Sequence, residues 1–247
     1  MKLYGLIGFP LTHSFSKKYF DNKFESEQIA NCSFSNFEIS EINNLANLIQ
    51  QNPALQGFAI TIPYKQKILP YLDSMTDDVG RMLACNCVKI IDGKLYGYNT
   101  DVIGFEKSFS ELLKPHHKKA LVLGTGGAAQ AVIFTLNKLG IEYLSVSRRE
   151  QKNAITYAAI TEELMNEYTA IINSTPLGTF PKVHDCPAIA YEYLTPEHYL
   201  FDLVYNPSET KFLSKGKAMG CTIKNGYDML TIQAEENWKI WQLEDAE

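Results

Sequence analysis

The first half of the chain alternates between short apolar blocks, which suit strands, and longer amphipathic blocks, which suit helices. The predicted strands cover 2–7, 32–39 and 55–62, and the predicted helices cover 17–24, 41–51 and a segment that begins at Tyr64. Strands and helices that alternate in this way form parallel sheets with helical crossovers. Lys65 therefore follows the carboxyl end of a strand, which is where open α/β sheets bind their ligands.

A hairpin is predicted next. The strands predicted over 86–91 and 94–98 are joined by Asp92-Gly93, which is a strong signal for a two-residue hairpin turn. We therefore expect an antiparallel pair at this point of the sheet.

Polar residues flank the helix predicted over 102–113. Thr100 or Asp101 would cap its first turn through a side-chain oxygen, which is the structural alternative to any role in chemistry. The segment 114–119 is polar and broken by a proline, so it is the predicted domain boundary.

The second half opens on a pattern that is typical of nucleotide-binding folds. Residues 120–123 predict a buried strand, Gly124-Thr125-Gly126-Gly127 a tight turn, and Ala128 the start of a helix. Glycine lets the backbone approach a pyrophosphate, and the helix N-terminus offers it free N–H groups. An ordinary tight turn is the alternative, because Ala129 stands where the strict pattern has its last glycine.

The residues at the end of the strand predicted over 143–147 indicate whether the site would bind NAD or NADP. It ends on Ser147-Arg148-Arg149, whereas a site for NAD carries an acidic residue there for the ribose hydroxyls. A guanidinium instead matches the oxygens of a 2′-phosphate, so the pattern favours NADP. The alternative is that both arginines are solvated surface charges. Further strands are predicted over 170–172, 199–205 and 221–224, and further helices over 162–168 and 229–243.

Composition narrows the class of protein. The 247 residues carry a net charge of -5 without a basic stripe, which disfavours nucleic-acid binding. No apolar run is long enough to span a bilayer and the N-terminus lacks a signal-peptide layout, so we expect a cytoplasmic protein. Five scattered cysteines predict free thiols, and neither they nor the histidines predict a metal site, even at Cys85 and Cys87.

Several short motifs follow one another along nearly the whole chain. They are Gly8-Phe9-Pro10 to Ser16, Thr61 to Lys65, Asn86, Asn99-Thr100-Asp101, Gly124 to Ala128, Ser147-Arg148, Asn173 to Gly178, Asp202 to Pro207, and Met229-Leu230 to Gln233-Ala234. Together they resemble the NADP-dependent shikimate dehydrogenase family. The chain departs from that family at Arg149, where threonine is common, and it is shorter after that residue.

The resemblance implies the reversible reduction of 3-dehydroshikimate to shikimate by NADPH, a step of chorismate and aromatic amino acid biosynthesis. It also implies a two-domain α/β fold, with an N-terminal α/β substrate domain, a C-terminal Rossmann-like dinucleotide-binding domain and a cleft between them. We expect the substrate-binding and catalytic domain to comprise 1–114 and 229–247, the last helix returning to it, and the NADP-binding domain to comprise 115–228. The expected partners are a small-molecule substrate, no nucleic acid and no membrane, in a monomer or homodimer.

The same resemblance implies roles for individual residues. Lys65 and Asp101 would form the catalytic pair. The substrate would contact Ser14, Ser16, Thr61, Asn86, Tyr205 and Gln233. The cofactor would contact Gly124, Thr125, Gly126, Gly127, Ala128, Ser147, Arg148, Arg149, Leu203, Gly226 and Asp77.

Other interpretations stay open at this point. The chain could be a quinate/shikimate dehydrogenase that uses NAD, against which Arg148 and Arg149 argue. It could be a non-catalytic sensor of shikimate-pathway metabolites, against which the presence of Lys65 and Asp101 argues. Ser16 could simply cap the helix that follows it.

Overall fold

The chain divides into two compact units. The computed structural model describes residues 1–11 and 15–243. The first unit comprises Met1–Thr100 and Gln233–Glu247, and the second comprises Asp101–Ile232. The helix predicted over 102–113 therefore clusters with the second unit, and the last helix runs from the second unit into the first.

The first unit is built on a six-stranded mixed sheet with the order β2-β1-β3-β5-β6-β4. The strands are β1 (Lys2–Gly8), β2 (Cys32–Glu38), β3 (Leu55–Ile60), β4 (Ser74–Met75), β5 (Cys87–Ile91) and β6 (Lys94–Tyr98). The helices are α1 (Phe15–Ser26), α2 (Leu45–Gln51) and α3 (Asp77–Met82). The predicted parallel pairing is confirmed, because β1 pairs in parallel with both β2 and β3.

The predicted hairpin is also confirmed. β5 pairs antiparallel with β6, and the turn between them places Asp92 at φ 50° and Gly93 at φ 76°. Two consecutive residues in the left-handed region are what a two-residue hairpin turn requires.

The second unit is a doubly wound parallel sheet with the order β12-β11-β10-β7-β8-β9. Its strands are β7 (Lys119–Leu123), β8 (Glu142–Ser147), β9 (Ile155–Thr156), β10 (Ala170–Asn173), β11 (Tyr199–Asp202) and β12 (Thr222–Asn225). Its helices are α4 (Asp101–Ser110), α5 (Gly127–Lys138), α6 (Glu162–Glu167) and α7 (Lys211–Ala218), followed by α8 (Tyr227–Gln242), which crosses into the first unit. Counted along the unit, the order is 3-2-1-4-5-6, the Rossmann order, and its switch point lies between β7 and β10.

The carboxyl half of α8 is fixed on the first sheet by Trp241. Its ring stacks on Tyr4 of β1 with ring centroids 5.1 Å apart, and its Nε1 donates to the carbonyl of Val88 on β5 at 3.0 Å. Both aromatic side chains are buried. The amino half of α8 contributes Met229 to the core of the second unit, around Phe105 and Phe201.

Some predicted elements are wrong or too long. The segment that begins at Tyr64 forms turns and then a 3-10 helix over Leu69–Tyr71, because Pro70 has no N–H for a continuing α-helix. The helix predicted over 41–51 is a 3-10 turn over Ile42–Asn44 followed by α2. The strand predicted over 199–205 ends at Asp202.

No helix in the described residues combines the length and the apolar character that crossing a membrane requires.

Candidate active site

Four buried polar side chains form one network in the first unit. Asn86 accepts from the backbone N–H of Thr100 at 2.7 Å and donates to the hydroxyl of Thr100 at 3.0 Å. The Thr100 hydroxyl donates to Asn237 Oδ1 at 2.7 Å. The amides of Asn86 and Asn237 both donate to Gln233 Oε1, each at 3.4 Å. The network therefore joins the start of β5, the end of β6 and α8.

The backbone at Asn86 is also fixed on both sides. Asn86 donates its N–H to Tyr98 at 3.1 Å, and its carbonyl accepts from Ile60 at 2.8 Å. The neighbouring Cys85 donates its N–H to the carbonyl of Lys65 at 2.8 Å. Lys65 is half-buried and lies on the segment that leaves β3, so its backbone is held beside the polar network.

Ser16 and Thr61 belong to the same unit. α1 begins at Phe15, so Ser16 lies inside the helix, where it is buried, and the prediction that it caps the helix is wrong. Thr61 directly follows β3 and is half-buried, with its N–H donating to Ile7 at 2.9 Å. Ser14 lies outside the described residues.

Asp101 is the first residue of α4 in the second unit, and only 7% of its surface is exposed. A carboxylate in the first turn of a helix is stabilised by the helix dipole. Its neighbour Thr100, the other candidate cap, uses its hydroxyl toward Asn86 and Asn237.

The glycine loop leaves β7 at the switch point of the second sheet. Gly124 has φ 113°, and a Cβ there would lie 2.7 Å from Ser174 Oγ at the end of β10, so only glycine fits. Gly126 occupies the N-cap of α5, and a Cβ there would meet nothing within 4 Å. The loop therefore presents an open helix N-terminus at the carboxyl edge of the sheet, which is the arrangement that binds a pyrophosphate. Thr125, Gly127 and Ala128 lie on the same turn.

Two exposed arginines follow the neighbouring strand β8. Ser147 is buried, and its hydroxyl accepts from the N–H of Arg149 at 3.1 Å and donates to the carbonyl of the same residue. Ser147 thus shapes the turn that carries Arg148 and Arg149. Within residues 1–11 and 15–243, neither guanidinium forms an ion pair. The second unit therefore presents an open helix N-terminus and, after the neighbouring strand, two arginines that form no ion pair among the described residues, and both groups suit the phosphates of NADP.

A fully buried carboxylate organises the loops at the other side of the switch point. Asp202 accepts from Asn173 Nδ2 at 2.9 Å, from the N–H of Val204 at 3.0 Å and from the Thr210 hydroxyl at 2.5 Å. Burial raises the pKa of Asp202 to about 6 although these three hydrogen bonds act in the opposite direction. The cluster ties the ends of β10 and β11 to the N-cap of α7.

Three more of the predicted contact residues lie just after strands of the second unit: Leu203 and Tyr205 after β11, and Gly226 after β12. A Cβ on Gly226 would lie 2.2 Å from the carbonyl oxygen of Leu203, so the two backbones approach as closely as glycine allows. Tyr205 is half-buried, and burial raises the pKa of its hydroxyl. Asp77, by contrast, is an exposed residue of α3 in the first unit, whereas the glycine loop belongs to the second.

Asn237 and Asp202 belong to these networks but were not among the predicted site residues. Asn237 lies one helical turn after Gln233, and this i, i+4 spacing of amides on an otherwise apolar helix face was a usable signal. Asp202 appeared only as part of a motif, because nothing local shows that its carboxylate is buried.

Cys85 and Cys87 are both buried, and the Cys85 thiol donates to the carbonyl of Cys87 at 3.3 Å. Among the described residues, no group of histidine, cysteine and carboxylate side chains is arranged to hold a metal ion.

Comparisons with known proteins agree with this architecture. Residues 6–88 match the family described as the shikimate dehydrogenase substrate binding domain. A Clostridium beijerinckii protein named shikimate dehydrogenase (NADP(+)) is 38% identical over 262 residues, which cover 99% of this chain and 94% of that protein.

Two crystal structures have the same fold. Shikimate dehydrogenase from Aquifex aeolicus superposes with a TM-score of 0.86 at 34% identity, covering 98% of this chain and 92% of the other. Shikimate 5-dehydrogenase from Thermus thermophilus, in complex with NADP(H) and shikimate, gives a TM-score of 0.86 at 28% identity, covering 98% and 91%. The chain belongs to the shikimate dehydrogenase family.

Proposed function

We propose that this protein is an NADP-dependent shikimate dehydrogenase, an oxidoreductase that reversibly reduces 3-dehydroshikimate to shikimate in chorismate and aromatic amino acid biosynthesis. The observation that carries the proposal is similarity along nearly the whole chain to enzymes with that name. The two units support it separately, one with a buried polar network and the other with a Rossmann sheet.

The second unit supplies the proposed cofactor site. When bound, NADPH provides the hydride for the ketone carbon of the substrate. The glycine loop, from Gly124 to Ala128, would receive the pyrophosphate through the N–H groups at the start of α5. Arg148 and Arg149 would pair with the 2′-phosphate, which an acidic residue at that position would repel. Leu203 and Gly226 would lie beside the nicotinamide.

The first unit supplies most of the proposed substrate contacts. Ser14 and Ser16 would hold the carboxylate, and Thr61, Asn86 and Gln233 would contact the hydroxyls or ring. The network around Asn86 fixes the orientation of both amides, so hydrogen bonds to the substrate need little further ordering. From the second unit, Tyr205 would add a further contact.

Lys65 and Asp101 are the proposed catalytic pair. Hydride addition to a ketone leaves negative charge on its oxygen, and a positioned acid must neutralise that charge. Lys65 is a suitable acid because its ammonium carries three donors on a flexible stem, while its backbone is fixed by Cys85. Asp101 would be the carboxylate that keeps the ammonium charged.

The other interpretations receive no support from the chain. A quinate/shikimate dehydrogenase that prefers NAD would leave Arg148 and Arg149 without a function. A non-catalytic sensor would have no need of both Lys65 and Asp101. The free cysteines are typical of the cytoplasm, where we place the enzyme, and we expect a monomer or homodimer.

A steady-state assay of nicotinamide absorbance tests the function directly. The purified protein is given shikimate or quinate, each with NADP or NAD. We expect turnover to be fastest with shikimate and NADP. Binding of shikimate without turnover under any combination would show that the protein is a non-catalytic sensor. Faster turnover with NAD than with NADP would show that it is a quinate/shikimate dehydrogenase that prefers NAD.

A lysine pair on one segment tests the catalytic assignment. Lys65→Ala should lower kcat by about 10²- to 10⁴-fold, the usual effect of losing a general acid, with a far smaller change in substrate affinity. Lys67→Ala is the matched control, since Lys67 is exposed on the same segment. Near-normal kcat in Lys65→Ala would exclude Lys65 as the acid.

A further inference from the structure

The connection between β8 and β9 brings two residues together. The segment 148–154 contains no helix and is closed by an isolated bridge between Gln151 and Ala154. Parallel strands are usually joined by a helical crossover of about a dozen residues or more, which carries the chain back along the sheet. Here the chain stays at the carboxyl end of β8, where Ser147 pairs with Thr156. Tyr157, which follows β9, therefore lies beside Arg148, which follows β8.

Electrostatics agree with this register. Burial raises the pKa of the Tyr157 hydroxyl, and the positive charge of Arg148 lowers it in part. In the part of the chain that the structure describes, the Tyr157 hydroxyl has no hydrogen-bond partner and Arg148 has no ion-pair partner. A free donor and a free positive charge thus stand together at the sheet edge.

The ring of Tyr157 is held in place by packing against apolar side chains. It is half-buried and packs against the apolar cluster that includes Val146 and Leu213. Its carbonyl accepts from the N–H of Ile160 at 3.2 Å, which closes a 3-10 turn. Because this packing already restricts the ring, the side chain loses little conformational entropy when its hydroxyl binds a ligand.

We propose that Tyr157 is a specificity-determining residue for the cofactor, with its hydroxyl donating a hydrogen bond to the same 2′-phosphate that Arg148 binds. This inference rests on the proposed NADP dependence. The phenol keeps its proton near neutral pH, so it is a donor, and a hydrogen bond to a phosphate is charge-assisted and short. Tyr157 lies outside the motifs that resemble the family, so they did not identify it.

Two adenosine nucleotides test the proposal without turnover. Adenosine 2′,5′-bisphosphate carries the 2′-phosphate, and adenosine 5′-monophosphate lacks it. By calorimetry, Tyr157→Phe should raise the Kd for the bisphosphate by about five- to tenfold and leave that for the monophosphate unchanged. Arg148→Ala should have a larger effect of the same kind. Tyr143→Phe, at the opposite end of β8, is the matched control and should change neither Kd.

The outcomes separate this inference from the proposed cofactor. Wild-type protein that binds both nucleotides equally would defeat the NADP assignment and the role of Tyr157 together. A wild type that discriminates, with a Tyr157→Phe variant that discriminates equally well, would defeat the role of Tyr157 alone. Equal weakening of both nucleotides by Tyr157→Phe would show that the hydroxyl supports the fold rather than the phosphate.

Discussion

A charged cluster joins the two helices of the first unit that carry proposed substrate contacts. Lys23 of α1 donates to both carboxylate oxygens of Glu235 on α8, at 2.9 and 3.0 Å, and to Glu27 at 2.7 Å. Tyr19 also donates its hydroxyl to Glu235. Ser16 lies on α1 and Gln233 on α8. Because the cluster links the two helices, it helps to determine the relative positions of these two residues.

The loss of unfolding free energy expected for Glu235→Gln can be estimated from the structure. This substitution removes the charge of the side chain and keeps its shape. The Lys23 side chain is only 7% exposed, and burial lowers its pKa, but Glu27 and Glu235 together outweigh that effect and raise the pKa. Breaking a buried pair costs about 3–5 kcal/mol when the remaining charge has no partner. Because Glu27 remains and Glu235 is 37% exposed, we expect a smaller loss of unfolding free energy, about 1–2 kcal/mol. That loss corresponds to a fall in Tm of about 2–8 °C.

Asp21→Asn is the matched control, because it breaks another ion pair of α1. Lys17 and Asp21 are 2.7 Å apart at i, i+4, with both side chains nearly half exposed. Such pairs contribute about 0.3–0.5 kcal/mol, so Tm should fall by no more than about 2 °C. A double-mutant cycle with Lys23→Met would isolate the coupling between Lys23 and Glu235.

Steady-state kinetics then connect the cluster to function. Glu235→Gln should raise KM for shikimate by about three- to tenfold, since displaced hydrogen bonds cost about 1 kcal/mol each. Neither kcat nor KM for NADP should change. Equal falls in Tm for Glu235→Gln and Asp21→Asn would refute the energetic argument, and parallel increases in KM for both substrates would refute the positioning role.

Further predictions concern the second unit and the cysteines. The pKa of Asp202, about 6, lies above the ordinary 3.8, so its contribution to stability is present below about pH 4 and is lost as the pH rises through about 6. The loss amounts to about 3 kcal/mol, and Asp202→Asn should flatten the dependence of urea unfolding on pH over that window; an unchanged slope would contradict the burial argument. Gly226→Ala should lower Tm and weaken NADP binding, because its methyl group would collide with the Leu203 carbonyl; an unaltered Kd for NADP would be inconsistent with a rigid contact. Replacing Cys85 and Cys87 with alanine should keep kcat/KM within about threefold while Tm falls, since each buried side chain leaves a small cavity, and stoichiometric zinc in the wild type would overturn this expectation.

Elements with strong local signals could be predicted from the sequence. The hairpin at Asp92-Gly93 and the glycine turn after β7 both require backbone conformations that few residues adopt, and so their residues identify them. β9 could not be predicted, because two residues have no periodicity and pair only through the register of β8. α7 was not predicted either, although Thr210 at its N-cap is a residue type that favours helix starts; in the fold, the Thr210 hydroxyl also donates to the buried carboxylate of Asp202.

Side-chain roles were harder to predict than elements because polar residues have competing local and distant partners. Thr100 precedes a helix, so its hydroxyl is predicted to cap the first turn. In the fold the same hydroxyl is buried beside Asn86 and Asn237, and a buried donor that lacks a partner costs about 1–3 kcal/mol. The distant contacts therefore determine its orientation. The whole second unit, residues 101–232, lies between Thr100 and Asn237 in the sequence, so no local pattern indicates that the two side chains pair. A buried amide on an apolar helix face is nevertheless informative by itself, because its donors and its acceptor require partners that only other buried polar groups can provide.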